Sequence, residues 1–342
     1  MADQHTSDSQ EAARELFALI FSKVVTQCLG VVAELGIADL LKDGECSTAD
    51  LARESGAHEP SLYRVLRMLT GHGIFEESSP GVFRLTSHGE PLRADSPNTL
   101  RDFAIFAAHP VHNAAYSALG HTVRTGENAF KHAHGSEVFE YFRRDPEFFS
   151  VLNAAMVANS HREAPAIGAA YDFSGLRTVA DVGGGLGFLL SEVLRRNPSQ
   201  RGVLFDLPEV VAGARATFEA ADQLDRVTLQ GGSFLESVPL EADAYMMKYV
   251  IHDWDDARAA TILRNCRRSM MPDGKILVIE TVVPENDDWH IAKLLDIEML
   301  AVPGGQERTR TQFEELFSKA ELRLTRVVPT AAGVCILECV RA

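Results

Sequence analysis

The chain has 342 residues, more than one core of ordinary size holds, which predicts two domains. Its 46% apolar and 24% charged residues are ordinary globular composition, and no stretch is long and uncharged enough to span a bilayer. The net charge of −15 argues against nucleic acid or an anionic membrane as partner, since both are met with basic patches. The segment from Met1 to Glu15 is polar and acidic, unlike a signal or transit peptide. Cys28, Cys46, Cys266, Cys335 and Cys339 are scattered, with no CxxC pair, as expected of reduced thiols in a cytoplasmic protein.

In chain order, residues 11–42 carry apolar residues at helical spacing, from Leu16, Leu19 and Ile20 to Val32 and Leu35, interrupted at Gly36. Ser47-Thr48-Ala49-Asp50 is a capped helix start, and Glu59-Pro60-Ser61 is another, followed by a stripe of Leu62, Val65, Leu66 and Leu69. Ile74–Glu77 and Val82–Leu85 flank a Ser-Ser-Pro-Gly turn and predict a hairpin. Three helices and a hairpin make a winged-helix plan for residues 1–95, and the long first helix points to packing between two copies. A DNA-binding role is disfavoured because residues 36–95 hold ten Asp/Glu against six Lys/Arg.

Residues 96–170 read as a helical connecting region. Nine of the 26 aromatic residues fall between Leu100 and Ser150, enough to line a pocket for a flat substrate or simply to pack a bundle. Phe149 and Met156 are candidate substrate contacts in this region, and Met299 is another further on. From residue 171 to 342 the rhythm becomes strand and helix in alternation. Strands are expected at Thr178–Val182, Gly202–Asp206, Val227–Gln230, Ala244–Lys248 and Lys275–Glu280, with a closing hairpin of Leu322–Pro329 and Val334–Val340. This is an α/β, doubly wound, Rossmann-like sheet.

In such a sheet ligands bind beyond the carboxyl ends of the strands. The first strand runs into Gly183-Gly184-Gly185-Leu186-Gly187, where glycines permit a tight turn and close approach to the backbone. A dinucleotide turn of GxGxxG form needs glycine at position 188, which is Phe188. Asp181, two residues before the turn, would repel a pyrophosphate, whereas a carboxylate favours the sulfonium and ammonium of S-adenosylmethionine. Asp206 ends the second strand, where a carboxylate can accept both ribose hydroxyls.

Four ordered motifs, Asp181-Val182-Gly183-Gly184-Gly185, Phe205-Asp206-Leu207-Pro208, Ile251-His252-Asp253-Trp254 and Pro303-Gly304-Gly305-Gln306-Glu307-Arg308-Thr309, resemble the plant caffeate-type small-molecule O-methyltransferases. That group includes the acetylserotonin and bacterial antibiotic O-methyltransferases. The resemblance covers nearly the whole chain, because residues 16–92 resemble the family's winged-helix dimerisation domain. It implies a methyltransferase sheet, a homodimer joined through the N-terminal domain, S-adenosylmethionine as cofactor and no metal. By the same resemblance His252 is the catalytic base, bracketed by Glu280 and Glu307, and Lys248 lies on the cofactor side. One departure is Gly231-Gly232-Ser233-Phe234, where the family often has an acidic adenine contact. Here Ser233 can hydrogen-bond the adenine and Phe234 can lie on its face.

The residues support the same chemistry independently. Methyl transfer is an in-line displacement, and a phenol with a pKa of about 10 is mostly protonated at neutral pH, so a positioned base contributes about 10²–10⁴-fold. His252 follows the fourth strand and is the only one of 12 histidines on the ligand-binding edge. Glu280 and Glu307 can orient its imidazole. Asp253 fits two roles, substrate contact or helix cap, and Lys248 fits a cofactor contact or a solvated charge. His109, His112, His121, His132 and His134 match no metal-ligand spacing. The expected activity is methylation of a phenolic hydroxyl on a small aromatic metabolite. The alternatives are N-methylation of a heteroaromatic ring, a winged-helix ligand-sensing regulator, or a nicotinamide-dependent oxidoreductase.

Overall fold

The computed structural model describes residues 2–238 and 241–342, with side chains described from Ser9 onward. The chain forms two compact units, one of Met1–Asn113 with Asp145–Ala158 and one of Ala114–Arg144 with Asn159–Ala342. The segment 96–170, expected as a connecting region of its own, is thus divided between the two. Its pieces are five helices of six to eight residues and the 25-residue helix Pro146–Ala170, which runs from the first unit into the second. Arg101–Ala108, for example, packs so closely on Ser22–Glu34 that a Cβ on Gly30 would stand 2.1 Å from that of Ala108.

In the first unit, helices Ile37–Leu40, Thr48–Ser55 and Glu59–Thr70 pack with a three-stranded antiparallel sheet ordered Cys46–Ser47, Val82–Leu85, Phe75–Ser79. Thr48–Ser55, Glu59–Thr70 and the hairpin lie where the sequence predicts them, while Ile37–Leu40, expected as the end of the first helical stretch, is a separate helix and Cys46–Ser47 is an added strand. Ser47 caps its helix by accepting from the Asp50 amide at 3.1 Å. Leu51, Leu62, Leu66, Leu69, Phe75 and Phe83 fill the core. The single long helix expected at the start is instead Ala2–Ile20 and Ser22–Glu34, broken at Phe21. Leu16, Phe17, Leu19 and Ile20 stay about 60% exposed, an apolar face that this chain leaves uncovered. Among the described residues no single helix is long and apolar enough to cross a membrane. Only the bent pair Ser9–Ile20 and Ser22–Glu34, at 41°, reaches that length and composition together.

The second unit is built on seven strands: β1 (Thr178–Val182), β2 (Arg201–Asp206), β3 (Val227–Gly231), β4 (Ala244–Lys248), β5 (Lys275–Glu280), β6 (Leu322–Pro329) and β7 (Cys335–Arg341). Their order is β6-β7-β5-β4-β1-β2-β3, parallel from β5 to β3, with the β6–β7 hairpin antiparallel at the other side. Alternate residues bury both faces. Val182, Tyr245, Met247 and Val278 meet Ile262, Leu263 and Phe317. Val179, Met246 and Ile279 meet Leu190, Val193 and Phe218 on the opposite face. The chain leaves β1 for β2 on one side and returns to β4 on the other, so strand order reverses between β1 and β4. That crevice is where a doubly wound sheet binds ligands.

Candidate active site

The loop after β1 is shaped by three glycines in the left-handed region, Gly183 (φ 70°), Gly185 (φ 59°) and Gly187 (φ 79°). Asp206 clamps it from the end of β2. One carboxylate oxygen accepts from the Gly185 amide at 2.9 Å and the other from the Leu207 amide at 2.7 Å. Each oxygen expected to meet a ribose hydroxyl is therefore already half used, which leaves one lone pair on each. Asp181 lies under the turn, since a Cβ on Gly184 would stand 2.5 Å from its carboxyl carbon. Burial, then the nearby charge of Asp206, pushes the Asp181 carboxyl up to about 7, and its Oδ2 has no partner among the described residues. A carboxyl so placed supports the loop from below and can favour a nearby positive charge through its field.

Other predicted cofactor residues gather beside this turn. A Cβ on Gly183 would come 3.5 Å from the Phe234 ring, and the segment carrying Ser233 and Phe234 is tied down by Asn265, whose Nδ2 donates to Phe234 O at 2.9 Å. Leu207 is half exposed ahead of the helix Pro208–Ala220. Lys248 is not a solvated charge. It is mostly buried, with Nζ 3.1 Å from Glu163 Oε2, and burial holds its pKa below the usual lysine value against the opposing pull of Glu163. Sequence reading missed Glu163, because a Glu within a helix looks like a solvated charge.

His252 sits in the single turn Ile251–Asp253 beyond β4 and is buried. Its Nδ1 meets Glu307 Oε1 at 2.7 Å, and Glu307 Oε2 accepts from the Thr281 hydroxyl at 2.6 Å. The Glu307 amide in turn donates to Asp296 at 2.9 Å. Burial alone would suppress the imidazolium, but the Glu307 hydrogen bond and the charges of Asp253 and Glu280 outweigh it and raise His252 from 6.5 to about 9. Glu280 does not touch the ring, contrary to the bracketing expected of it. Its Oε1 accepts the His252 backbone N–H at 3.0 Å, and burial raises its carboxyl to about 7. Asp253 Oδ1 stands 3.6 Å from His252 Nε2, and burial raises this carboxyl as well. The cap of the following helix is Asp255, which leaves Asp253 facing the imidazole.

Two residues of the Gly-Gly-Gln-Glu-Arg-Thr loop bring Glu307 to His252. Gly305 lies against the turn so closely that a Cβ would stand 1.9 Å from the His252 carbonyl oxygen. Arg308, fully buried, donates to the carbonyls of Ile251 (3.3 Å) and Trp254 (3.0 Å) and pairs with Asp256 at 3.0 Å. Met299 is buried in the last turn of the helix Ile291–Ala301 that precedes this loop, its carbonyl accepting from the Gly304 amide at 2.8 Å. Phe149 and Met156 are on the part of the helix Pro146–Ala170 that belongs to the first unit, about 40% exposed.

Known proteins share this architecture. Residues 116–323 match the O-methyltransferase domain and residues 17–93 the O-methyltransferase dimerisation domain. The chain belongs to the O-methyltransferase family. It is 40% identical to a phenazine O-methyltransferase, PhzM, of Lysobacter antibioticus, over 99% of each chain. It is 33% identical to an 8-amino-8-demethylriboflavin N,N-dimethyltransferase of Streptomyces davaonensis, over 96% of this chain and 95% of that one. A solved O-methyltransferase from neocarzinostatin biosynthesis, in complex with S-adenosylmethionine and 2-hydroxy-5-methyl naphthoic acid, superposes with a TM-score of 0.79. It is 32% identical, over 93% of this chain and 96% of that one.

The enzyme's loop packing has a direct test. Gly305→Ala forces the loop off the His252 carbonyl and lengthens the Glu307 contact. Turnover is expected to fall by about 10²-fold or more, as for a misplaced catalytic group, with the cofactor affinity measured by calorimetry changing far less. Wild-type turnover in this variant would show that the contact is not needed.

Proposed function

We propose that this O-methyltransferase transfers the methyl group of S-adenosylmethionine to a phenolic hydroxyl of a small aromatic metabolite, with His252 as general base. The observation that carries the proposal is the Glu307–His252 pair. A buried carboxylate 2.7 Å from Nδ1 fixes the tautomer, directs the basic lone pair to Nε2 and stabilises the imidazolium formed there. The cofactor, when bound, supplies a methyl group made electrophilic by a positively charged sulfur. The residues that would hold it are Gly183, Gly185, Asp206, Leu207, Ser233, Phe234 and Lys248, around a loop whose buried Asp181 favours positive charge. The aromatic acceptor is assigned, within the second unit, to Asp253 and Met299. The proposal invokes no metal, nucleic acid or membrane, and its setting is the cytoplasm, where the unpaired cysteines stay reduced.

With its pKa at about 9, His252 is largely imidazolium in the free enzyme at neutral pH, held by Glu307, and cannot accept a proton. Positive charge brought into the same site by the cofactor lowers that pKa, so the base becomes available only in the loaded enzyme. An acceptor that is neutral and aromatic adds no charge to reverse this. His252 then takes the hydroxyl proton as the oxygen becomes nucleophilic.

The test is a panel of phenols and heteroaromatic amines incubated with methyl-labelled S-adenosylmethionine and read by product mass, for wild type and His252→Gln. Methylated phenols are expected from wild type, and at least about 10²-fold less from the variant. Nitrogen products formed equally by both would establish the N-methyl alternative instead.

The exposed face of Leu16, Phe17, Leu19 and Ile20 lies in or beside the matched dimerisation domain and supports a homodimer formed through it. A Phe17→Glu, Ile20→Glu double variant is expected to run as a monomer in light scattering, where wild type runs as a dimer. A dimeric variant would rule out this face as the interface.

A further inference from the structure

Between the cofactor side of the crevice and the base stands Tyr249, a residue the assignments above do not use. It follows β4 with its backbone in the left-handed region (φ 55°), a conformation that favours glycine and that a bulky aromatic seldom adopts. Its amide donates to the Ile279 carbonyl at 3.2 Å, which ties this conformation to the neighbouring strand β5. The ring lies nearly parallel to the His252 imidazole, with centroids 5.2 Å apart and planes at 19°. Lys248 Nζ is 4.6 Å from the same ring's centroid. The phenol donates to Glu163 Oε1 at 3.2 Å, while Glu163 Oε2 pairs with Lys248. Burial, then the Glu163 charge, keeps this phenol protonated at all working pH values. Tyr249 is thus held at three points, with its ring on the imidazole.

We propose that Tyr249 is a positioning residue for methyl transfer, whose ring fixes the plane of the His252 imidazole and stabilises the imidazolium formed when His252 takes the acceptor's proton. This rests on the reading of His252 as base. In the step concerned the proton leaves the acceptor oxygen for His252 Nε2, and nothing is oxidised or reduced. The quadrupole of an aromatic face attracts a cation, and a partly desolvated one more strongly. The other charged groups around His252 are Glu307 at Nδ1, Asp253 near Nε2, Glu280 at its backbone, and Asp296 and Arg308 behind them. Around Tyr249 they are Lys248, Glu163, Arg162 and, again, Glu307. The carboxylates set most of the base's strength, and Tyr249 sets the ring's orientation and adds the contribution of an aromatic face.

The experiment compares kcat and kcat/KM across pH for wild type and for Tyr249→Phe, Tyr249→Leu and Tyr249→Asn, with His252→Gln alongside. Tyr249→Phe keeps the ring and is expected to stay within a few-fold of wild type. Tyr249→Leu removes the ring, and Tyr249→Asn does so with a residue that tolerates left-handed backbone, so one reports if the other fails to fold. Each is expected to lose roughly 10-fold or more in kcat, with KM for the cofactor little changed. The acidic limb of the profile should move down by about 0.5–1 pH unit, because an imidazolium without the ring is a stronger acid. An acidic limb that stays in place, with or without a lower melting temperature, would reduce Tyr249 to a structural role and overturn the inference. If His252→Gln retains turnover the base reading itself fails, whereas an inactive His252→Gln beside an unshifted Tyr249→Asn removes only the role of Tyr249.

Discussion

Contact between two backbone segments at Gly305 is the constraint on which this site depends. The turn after β4 carries the base, and the loop before the helix Arg310–Lys319 carries the carboxylate that serves it, 55 residues further along the chain. Their side chains meet at 2.7 Å, and beside them the two backbones touch at Gly305, where only a residue without a Cβ allows the approach. Arg308 then locks the arrangement by gathering carbonyls from the turn, a use of a buried guanidinium that leaves no donor group idle at a point the sheet does not reach. Thr281 and Asp296 hold the carboxylate from behind. Glu280 holds the turn rather than the ring.

The second theme is charge. Among the described residues around the crevice, the carboxylates of Asp181, Glu163, Glu280, Glu307 and the part-buried Asp206 outnumber the cationic groups, which are Lys248, Arg308 and the imidazole. Burial raises the carboxyls of Asp181, Asp206 and Glu280, which disfavours their charged forms. Positive charge brought near them would be favoured, and under the proposed function the same charge would lower the pKa of His252.

Much of this was legible in the residues. Strands β1, β4, β5 and β6 have the ends read from the sequence, because short, largely apolar runs bounded by charges and turns leave little choice. The glycine loop was legible for the same reason that it is costly, since three left-handed positions need glycine. The family motifs led to His252 and Glu307. What escaped were features that exist only in three dimensions. Glu163 and Arg308 look like surface charges on paper and are buried in the fold. Phe21 breaks the first helix without a glycine or proline to announce it, and Pro165 sits inside a helix that continues through it. The helices of 96–170, from the short ones to Pro146–Ala170, took their place from the cores they join, which local sequence does not encode.

The proposed role of Glu307 is to make His252 a strong base, which the cofactor's charge then frees. A histidine-selective carbon-13 NMR titration tests it directly, with His252 assigned by its loss in His252→Gln. The account predicts a pKa near 9 in the free enzyme, a clear fall on binding S-adenosylmethionine, and a lowered value in Glu307→Gln. An imidazole titrating near 6.5 in the free enzyme, unmoved by the cofactor or by Glu307→Gln, would contradict it.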